Sequence, residues 1–516
     1  MKTFYITTTL PYVNSDPHIG FAMEIVRADV IARTKKLQGF EVFFNTGTDE
    51  HGQKIYQKAL EANKSPQEYV DEWAKKFHGL INLLQISEDA HFIRTTDKNH
   101  IKAAQEFWKI CDNNGFIYKK SYQIKYCVGC ELEKTDSELV DGKCPIHPNN
   151  KIEFRDEENY FFKFSAFQKQ LLNLYKNRPD FVVPDFRQNE IKLFVERGLE
   201  DFSISRLKTK MPWGIPVPDD SEQVMYVWFD ALTNYISTLG WGNNPLNPPY
   251  IKGEIEENPP LKVRWGEGGE LFNKFWINGT PTQYCGKDNL RMQSAMWQAM
   301  LLAAGLPHSH QIVINGFFTG EGGIKMSKSI GNTVDPYEVV EKYGAEALRY
   351  FVCAEVSMFE DSPVSIELIK QSYNAKLANG LGNLTSRVMK MAQDNLAEAP
   401  EIQEKSISPE FFAYLEKFEI NKACDFIWSE ITSMDKFIQE TEPFKVVKID
   451  KEKGQKMIND LVVRLYSVAQ MLSPILPETS EKIKELIKQN NTPETPLFVR
   501  KDYPCSNGRI TRHANQ

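Results

Sequence analysis

The chain opens on a change of hydrophobic period. Phe4, Tyr5 and Ile6 form a short apolar run that reads as a buried strand. Thr7, Thr8 and Thr9 lead into Leu10-Pro11-Tyr12, and Asn14, Asp16 and Pro17 supply turn chemistry. From Ile19 the period becomes helical, with Ala22, Met23, Val26 and Val30 on one stripe. The predicted unit is strand, tight loop, helix. A second strand is expected over 41–45 and amphipathic helices over 55–60, 65–84 and 99–113. The run Tyr226-Val227-Trp228-Phe229-Asp230-Ala231 predicts a strand entering a helix through Tyr235. A strand-like run precedes Cys285-Gly286-Lys287-Asp288, and a helix follows over 290–303. Asp335-Pro336-Tyr337-Glu338 predicts a helix start: a capping Asp, Pro at the first position, and Glu338 closing a capping box. From Ile366 the pattern is almost wholly helical, with breaks near Pro400, Pro443 and Pro474, as in an antiparallel bundle. Pro245, Pro248, Pro249, Pro259 and Pro260 mark an extended surface insertion over 242–272, and 505–516 reads as a disordered tail.

At 516 residues the chain should hold more than one domain. Its 41% hydrophobic and 25% charged residues are those of a globular protein. No apolar run approaches a membrane span, and Met1-Lys2-Thr3 lacks the apolar core of a signal peptide, so a cytoplasmic protein with no membrane partner is expected. A net charge of −7 argues mildly against nucleic acid as partner, since strong binders usually carry a basic excess.

The candidate chemistry lies in four places. His18 and Gly20 stand at the mouth of the first helix, where free amides and the helix dipole favour an anion. Lys325-Met326-Ser327-Lys328-Ser329 sits among Gly320, Gly322, Gly323 and Gly331, a hinged pair of point charges able to close on a polyphosphate. Thr46-Gly47-Thr48-Asp49-Glu50-His51-Gly52 occupies the end of the second strand, where open α/β sheets bind ligands. Cys127 and Cys130, then Cys144 and His147, form two knuckles with ligands three apart. Three thiolates and one imidazole fill a tetrahedral Zn²⁺ shell and leave no open position, so one structural zinc is expected. The remaining five of the eight cysteines are scattered and make no disulfide framework.

The paired clusters around His18-Ile19-Gly20 and Lys325–Ser329 resemble the HIGH and KMSKS signatures of class I aminoacyl-tRNA synthetases. Over 2–477 the chain resembles the methionyl-tRNA synthetase family, through the blocks 11–20, 46–52, 226–231 and 325–329. The resemblance implies a Rossmann-like parallel α/β sheet split by a zinc-binding connective insertion, followed by a C-terminal antiparallel α-helical bundle. The corresponding division is 1–115 and 223–318 for the two catalytic halves, 116–222 for the insertion, 319–372 for the lysine-loop region, 373–504 for the anticodon-binding bundle, and 505–516 for the tail. The insertion leaves no room for a hydrolytic editing domain.

Carried over residue by residue, the resemblance implies a methionine pocket of Leu10, Tyr12, Trp228, Tyr235 and Gln293, with Asp49 receiving the α-ammonium. A polarizable thioether packs well between such side chains, and a carboxylate holds an amine by a charge-assisted bond. ATP, with Mg²⁺, would meet Tyr12, His18, Gly20, Gly286, Asp288, Lys325 and Lys328, of which His18, Lys325 and Lys328 stabilise the transferring phosphates. Asn383, Arg387 and Phe444 match the anticodon-reading positions for tRNA(Met), although a tryptophan is usual where Phe444 stands. Two further departures stand out. Phe21 replaces the second histidine of the HIGH signature, and Gln293 replaces a histidine common beside the methionine side chain. The rival readings are another class I synthetase, a nucleotidyltransferase sharing the phosphate site, and a catalytically silent tRNA-binding paralogue. The lack of an extra C-terminal tRNA-binding domain points to a monomer.

Overall fold

The first strand, β1 (Thr3–Thr8), is buried from Phe4 onward, as its apolar run predicts. The computed structural model describes residues 2–127, 132–134, 139–145, 151–242, 269–320, 333–402 and 407–501. β1 joins β2 (Glu41–Thr48), β3 (His91–Arg94), β4 (Val182–Val183), β5 (Pro281–Gly286) and β6 (Gln311–Asn315) in one six-stranded sheet ordered β3-β2-β1-β5-β6-β4. β1 runs parallel to both β2 and β5, β2 to β3, and β6 to β4. The chain thus builds outward on one side of β1 and returns on the other. Ligands bind such sheets beyond the carboxyl ends of the strands where the order reverses, here beyond β1, β2 and β5.

Between β3 and β4, and again between β4 and β5, the chain leaves this sheet. The strand Ile117–Cys127 pairs antiparallel with Ile152–Phe162 along its whole length, and Leu132–Lys134 and Phe202–Ser203 complete a second, four-stranded sheet. The parallel sheet is therefore split by an insertion, as expected. Phe107 packs on Phe229 and Trp297 at ring-centroid distances of 5.8 and 5.7 Å, in the aromatic core around the returning segment.

One element differs from expectation. The strand Asp220–Met225 stops before Tyr226, which caps a short helix, Val227–Leu232. Val, Trp and Phe favour strands, but a short apolar run does not distinguish a buried strand from a buried helix. The expected helix at 290–303 is present in altered form: a 3₁₀ turn at Lys287–Asn289 and a π-helical turn at Met292–Met296 precede the α-helix Trp297–Ala303.

Contacts divide the chain into two compact units, neither contiguous in sequence. One holds Met1–Asp16, Gly39–His78 and Asp89–Ile314; the other holds Pro17–Gln38, Gly79–Glu88 and Asn315–Gln516. In the second unit the helix Ile19–Leu37 packs with Ala345–Ala354 through a buried polar cluster. Arg27 donates to the carbonyls of Val352 (2.8 Å) and Ser357 (3.0 Å). Arg349 donates to the carbonyls of Ile475, Pro474 and Leu84 and pairs with Asp29 at 2.8 Å, both side chains fully buried. The expected helix start at Asp335 is present: its carboxylate accepts from the Tyr337 amide and Pro336 is the first helical residue. Glu338 pairs forward with Lys342. Helices Asn383–Asn395, Ile420–Thr441, Pro443–Ile449, Lys451–Leu472 and Pro477–Gln489 follow. A Cβ on Gly454 would lie 2.3 Å from the Val447 Cα, so two of these helices meet where only glycine fits. Among the described residues no helix is long and apolar enough to cross a membrane.

Burial alone would raise the Asp29 carboxyl, but the charges of Arg349 and Arg33 and bonds from Ser87 outweigh it and hold it below 3.8. Its contribution to stability is therefore complete well above that value and is lost on acidification, as the carboxyl takes up a proton. Arg349→Met leaves Asp29 with a buried, half-compensated charge. We expect a loss of about 3–5 kcal/mol in the urea unfolding of this unit at pH 7, and a midpoint within error of the parent would contradict it.

Candidate active site

β1 and β2 end side by side, and the backbone extends their pairing by one step. The Asp49 amide donates to the Pro11 carbonyl (2.9 Å) and the Val13 amide to the Asp49 carbonyl (3.2 Å), bridging Tyr12 to Asp49. Tyr12 lies against the start of the helix Gln53–Glu61, where the Ile55 and Lys54 amides face its hydroxyl. Gly52 makes this approach possible. Its φ is +119°, and a Cβ there would stand 2.6 Å from the Tyr12 hydroxyl. Asp49 is buried, and its Oδ1 has no hydrogen-bond partner among the described residues. Burial and the charges of Asp230 and Glu50 push its carboxyl well above the usual carboxylate range, against the His51 amide that favours the ionised form. An unpartnered, buried carboxylate oxygen is a place for a cation.

Its neighbours are fully engaged. Glu50 takes a bidentate pair from Arg94 (2.7 and 2.8 Å) and bonds from Thr48 and Thr96, while Arg94 also reaches Asp71. Trp213 donates to the Glu50 carbonyl at 2.6 Å. His51 turns the other way, its Nδ1 2.7 Å from one oxygen of Asp230, and His100 Nε2 lies 2.8 Å from the other. An ionised carboxylate only accepts, so each of those nitrogens carries its proton. The far nitrogen of His100 meets the Ser237 hydroxyl at 2.9 Å. Burial would raise Asp230, but the His51 charge and the bonds from both imidazoles hold it below its ordinary value.

The expected methionine residues all belong to this first unit. Leu10 is buried, whereas Trp228 is 40% exposed, its ring 5.3 Å from that of Tyr226. A tryptophan serving only the core would be covered. Tyr235 is buried, and its hydroxyl accepts from the Gln293 amide nitrogen, which the π-helical turn carries. Gly286 ends β5 in the buried sheet, and Asp288 stands exposed two residues on. Sequence reasoning assigned no role to His100, Asp230, Glu50 or Arg94. A single acid inside the apolar run 226–231 was the one available signal; nothing local marks His100 as its partner.

His18 and Gly20 lie in the second unit. The His18 ring caps the first helix, its Nδ1 accepting from the Gly20 amide at 3.1 Å. Acceptance at Nδ1 places the proton of the neutral ring on Nε2, the form that donates to a phosphate oxygen. Phe21, the departure from the signature, is buried. Lys325 and Lys328 lie outside the described residues. Asn383 begins a helix after a π-helical stretch, Tyr373–Gly382; Arg387 pairs with Asp435 at 2.7 Å; and Phe444 is 41% exposed beside Glu442, whose φ is +44°.

Of the expected zinc ligands, Cys130, His147 and the side chain of Cys127 lie outside the described residues. Cys144 is buried, directly after a tight turn in which Val140 pairs with Lys143 and Asp141 and Gly142 take positive φ. Among the described residues no group of three metal-binding side chains occurs.

Residues 4–153 and 147–389 match the family described as tRNA synthetases class I (M). The chain is 41% identical over 499 residues to a methionine–tRNA ligase of Thermosynechococcus vestitus, covering 93% of this chain and 89% of that protein. It is 38% identical over 497 residues to one from Thermotoga maritima, covering 93% and 74%. The methionyl-tRNA synthetase of Mycobacterium tuberculosis, solved in complex with methionyl-adenylate, superposes with a TM-score of 0.80 and 34% identity, over 95% of this chain and 94% of that one. With its six-stranded sheet interrupted by an antiparallel insertion and its strand ends carrying a buried acid, the chain belongs to the class I methionyl-tRNA synthetase family.

Proposed function

We infer that this chain is a methionine–tRNA ligase. It activates L-methionine with ATP, releasing pyrophosphate, and transfers the methionyl group from the adenylate to the 3′ end of tRNA(Met). It acts in the cytoplasm. The methionine carboxylate attacks the α-phosphate in line, and a ribose hydroxyl of the terminal adenosine then attacks the activated carbonyl. The protein supplies position and charge rather than a nucleophile.

The observation that carries the amino-acid assignment is the Asp49 carboxylate, buried with one oxygen unpartnered among the described residues. The α-ammonium completes it and stabilises the ionised form that Asp230 and Glu50 otherwise oppose. Leu10, Tyr12, Trp228, Tyr235 and Gln293 receive the side chain. The triphosphate falls to His18, Gly20, Lys325 and Lys328, and the nucleoside to Gly286 and Asp288, on the strength of the resemblance. Mg²⁺ enters with ATP and neutralises phosphate charge. Zn²⁺ would be held by Cys127, Cys130, Cys144 and His147 in the insertion, and the buried Cys144 behind its tight turn suits a metal knuckle. Such a metal stabilises the insertion and takes no part in the chemistry.

ATP–pyrophosphate exchange, run with each amino acid in turn, tests the reading: methionine alone should support exchange, and failure of every amino acid to support it would favour a silent paralogue. In the same assay Asp49→Asn should raise the KM for methionine about a hundredfold, the loss of one charge-assisted bond, with the KM for ATP nearly unchanged. Lys328→Ala should slow adenylate formation roughly a hundredfold in single-turnover kinetics, about 3 kcal/mol of transition-state contact; an unchanged rate refutes its role. Phe444→Ala should reduce discrimination between CAU and altered anticodons about tenfold, as expected for a lost base stack, while exchange stays at the parental rate. Retained CAU preference would sink that assignment.

A further inference from the structure

Behind Tyr235 lies a chain of neutral amides whose direction is set at one end. The Ser309 backbone N–H donates to Gln298 Oε1 at 2.9 Å. A backbone N–H can only donate, so Gln298 must present its NH₂ on the other side, and it does, to the Gln293 carbonyl (2.7 Å) and the Ser309 hydroxyl (3.2 Å). With its oxygen accepting there, the Ser309 hydroxyl turns its hydrogen to Gln283 Oε1, 2.9 Å away. Gln283 Nε2 then donates to Gln293 Oε1 at 2.7 Å, and Gln293 Nε2 to the Tyr235 oxygen. Gln283, Gln293, Gln298, Ser309 and Tyr235 are all buried. The Ser309 N–H fixes Gln298, and the Ser309 hydroxyl, which can rotate, carries the direction on by donating to Gln283; with those bonds made, reversing Gln283 or Gln293 alone would set two like ends together.

We propose that Gln283, Ser309 and Gln298 are positioning residues for methionine, a relay that locks the Gln293 carboxamide and so turns the Tyr235 hydroxyl hydrogen away from Gln293. The proposal rests on the assignment of Tyr235 and Gln293 to the methionine side chain. The relay fixes the polarity of the Tyr235 hydroxyl. A thioether sulfur and a methylene differ there by weak hydrogen-bond acceptance and polarizability, not by size. The relay therefore acts on the choice between methionine and its isostere norleucine. Its three glutamines and Ser309 carry no titratable group, unlike an imidazole at position 293.

The test is ATP–pyrophosphate exchange with L-methionine and L-norleucine as alternative substrates. Gln283→Met keeps the volume and removes the donor to Gln293. We expect the methionine-to-norleucine ratio of kcat/KM to fall about tenfold, the worth of one buried hydrogen bond, while the KM for ATP stays within about twofold. Ser309→Ala, which frees Gln283 to reverse, should lower the ratio in the same direction. Ser309→Thr, which keeps the hydroxyl, should restore it. An unchanged ratio in Gln283→Met or Ser309→Ala overturns the proposal, as does an equal rise in the KM values for ATP and methionine, which would mark general damage to the site. Should the parent protein fail to exchange with methionine at all, the functional reading itself falls, an outcome separate from failure of the relay.

Discussion

Two carboxylates buried in one unit, Asp49 and Asp230, impose the constraint to which the rest of the site answers. An isolated ionised carboxylate in a protein interior is costly by several kcal/mol unless it is paired and hydrogen-bonded. The chain meets this in opposite ways at the two positions. Asp230 receives an imidazole on each oxygen and stays ionised. Asp49 is left incomplete, and the charge on Asp230 opposes its ionisation further. An unpartnered carboxylate oxygen in such a setting is completed by a cation. His51 and His100 therefore act on Asp49 through Asp230: they keep Asp230 charged, and that charge adds to burial in opposing the ionisation of Asp49.

Holding two acids so closely requires a backbone that does not give way. The ends of β1 and β2 are clamped by Thr8 donating to Thr46 at 2.8 Å. Asn45 ties the same strands to the helical segment beyond Tyr226. Its nitrogen donates to Thr7 and Asn234, and its oxygen accepts from Thr238. These bonds fix the turn of helix that carries Asp230 and Tyr235 against the strand end that carries Asp49. Glu50, one residue away, is locked by Arg94, so the alternation of side chains at the end of β2 cannot slip. The order of strands explains why Asp49 stands here: the order reverses at β1, and open sheets bind ligands beyond the strand ends at such a point.

The strand–loop–helix at 3–37, the helix cap at Asp335, the splitting insertion and the helical C-terminal half were all legible in the sequence, because each depends on local periodicity or turn chemistry. The Thr46–Gly52 stretch by itself marks a strand end of the kind that binds ligands; the choice of Asp49 within it came from the resemblance. Tyr226–Ala231 was misread because a six-residue apolar run carries no decisive period. The partnership of His51 and His100 with Asp230 spans 179 and 130 residues, and no spacing rule reaches across such separations. The same holds for the discontinuous units: the helix Ile19–Leu37 groups with residues 315–516 through Asp29, Arg27 and Arg349, buried charges that in the sequence look like an ordinary polar face.

The two departures from the family pattern share a direction. At position 21 a side chain able to donate to phosphate is replaced by a buried apolar ring, and at 293 an imidazole is replaced by a carboxamide. Both exchanges remove a group that titrates near neutrality. At 293 a glutamine offers one donor and one acceptor, as a neutral imidazole does, and here its oxygen accepts from Gln283 while its nitrogen donates to Tyr235. At 21 no such substitute exists, since phenylalanine has nothing to donate. On the proposed assignment, the charge of the departing pyrophosphate would rest on His18, the helix-end amides and the two lysines, so removal of either lysine should weigh more in this chain than in relatives that keep the second histidine.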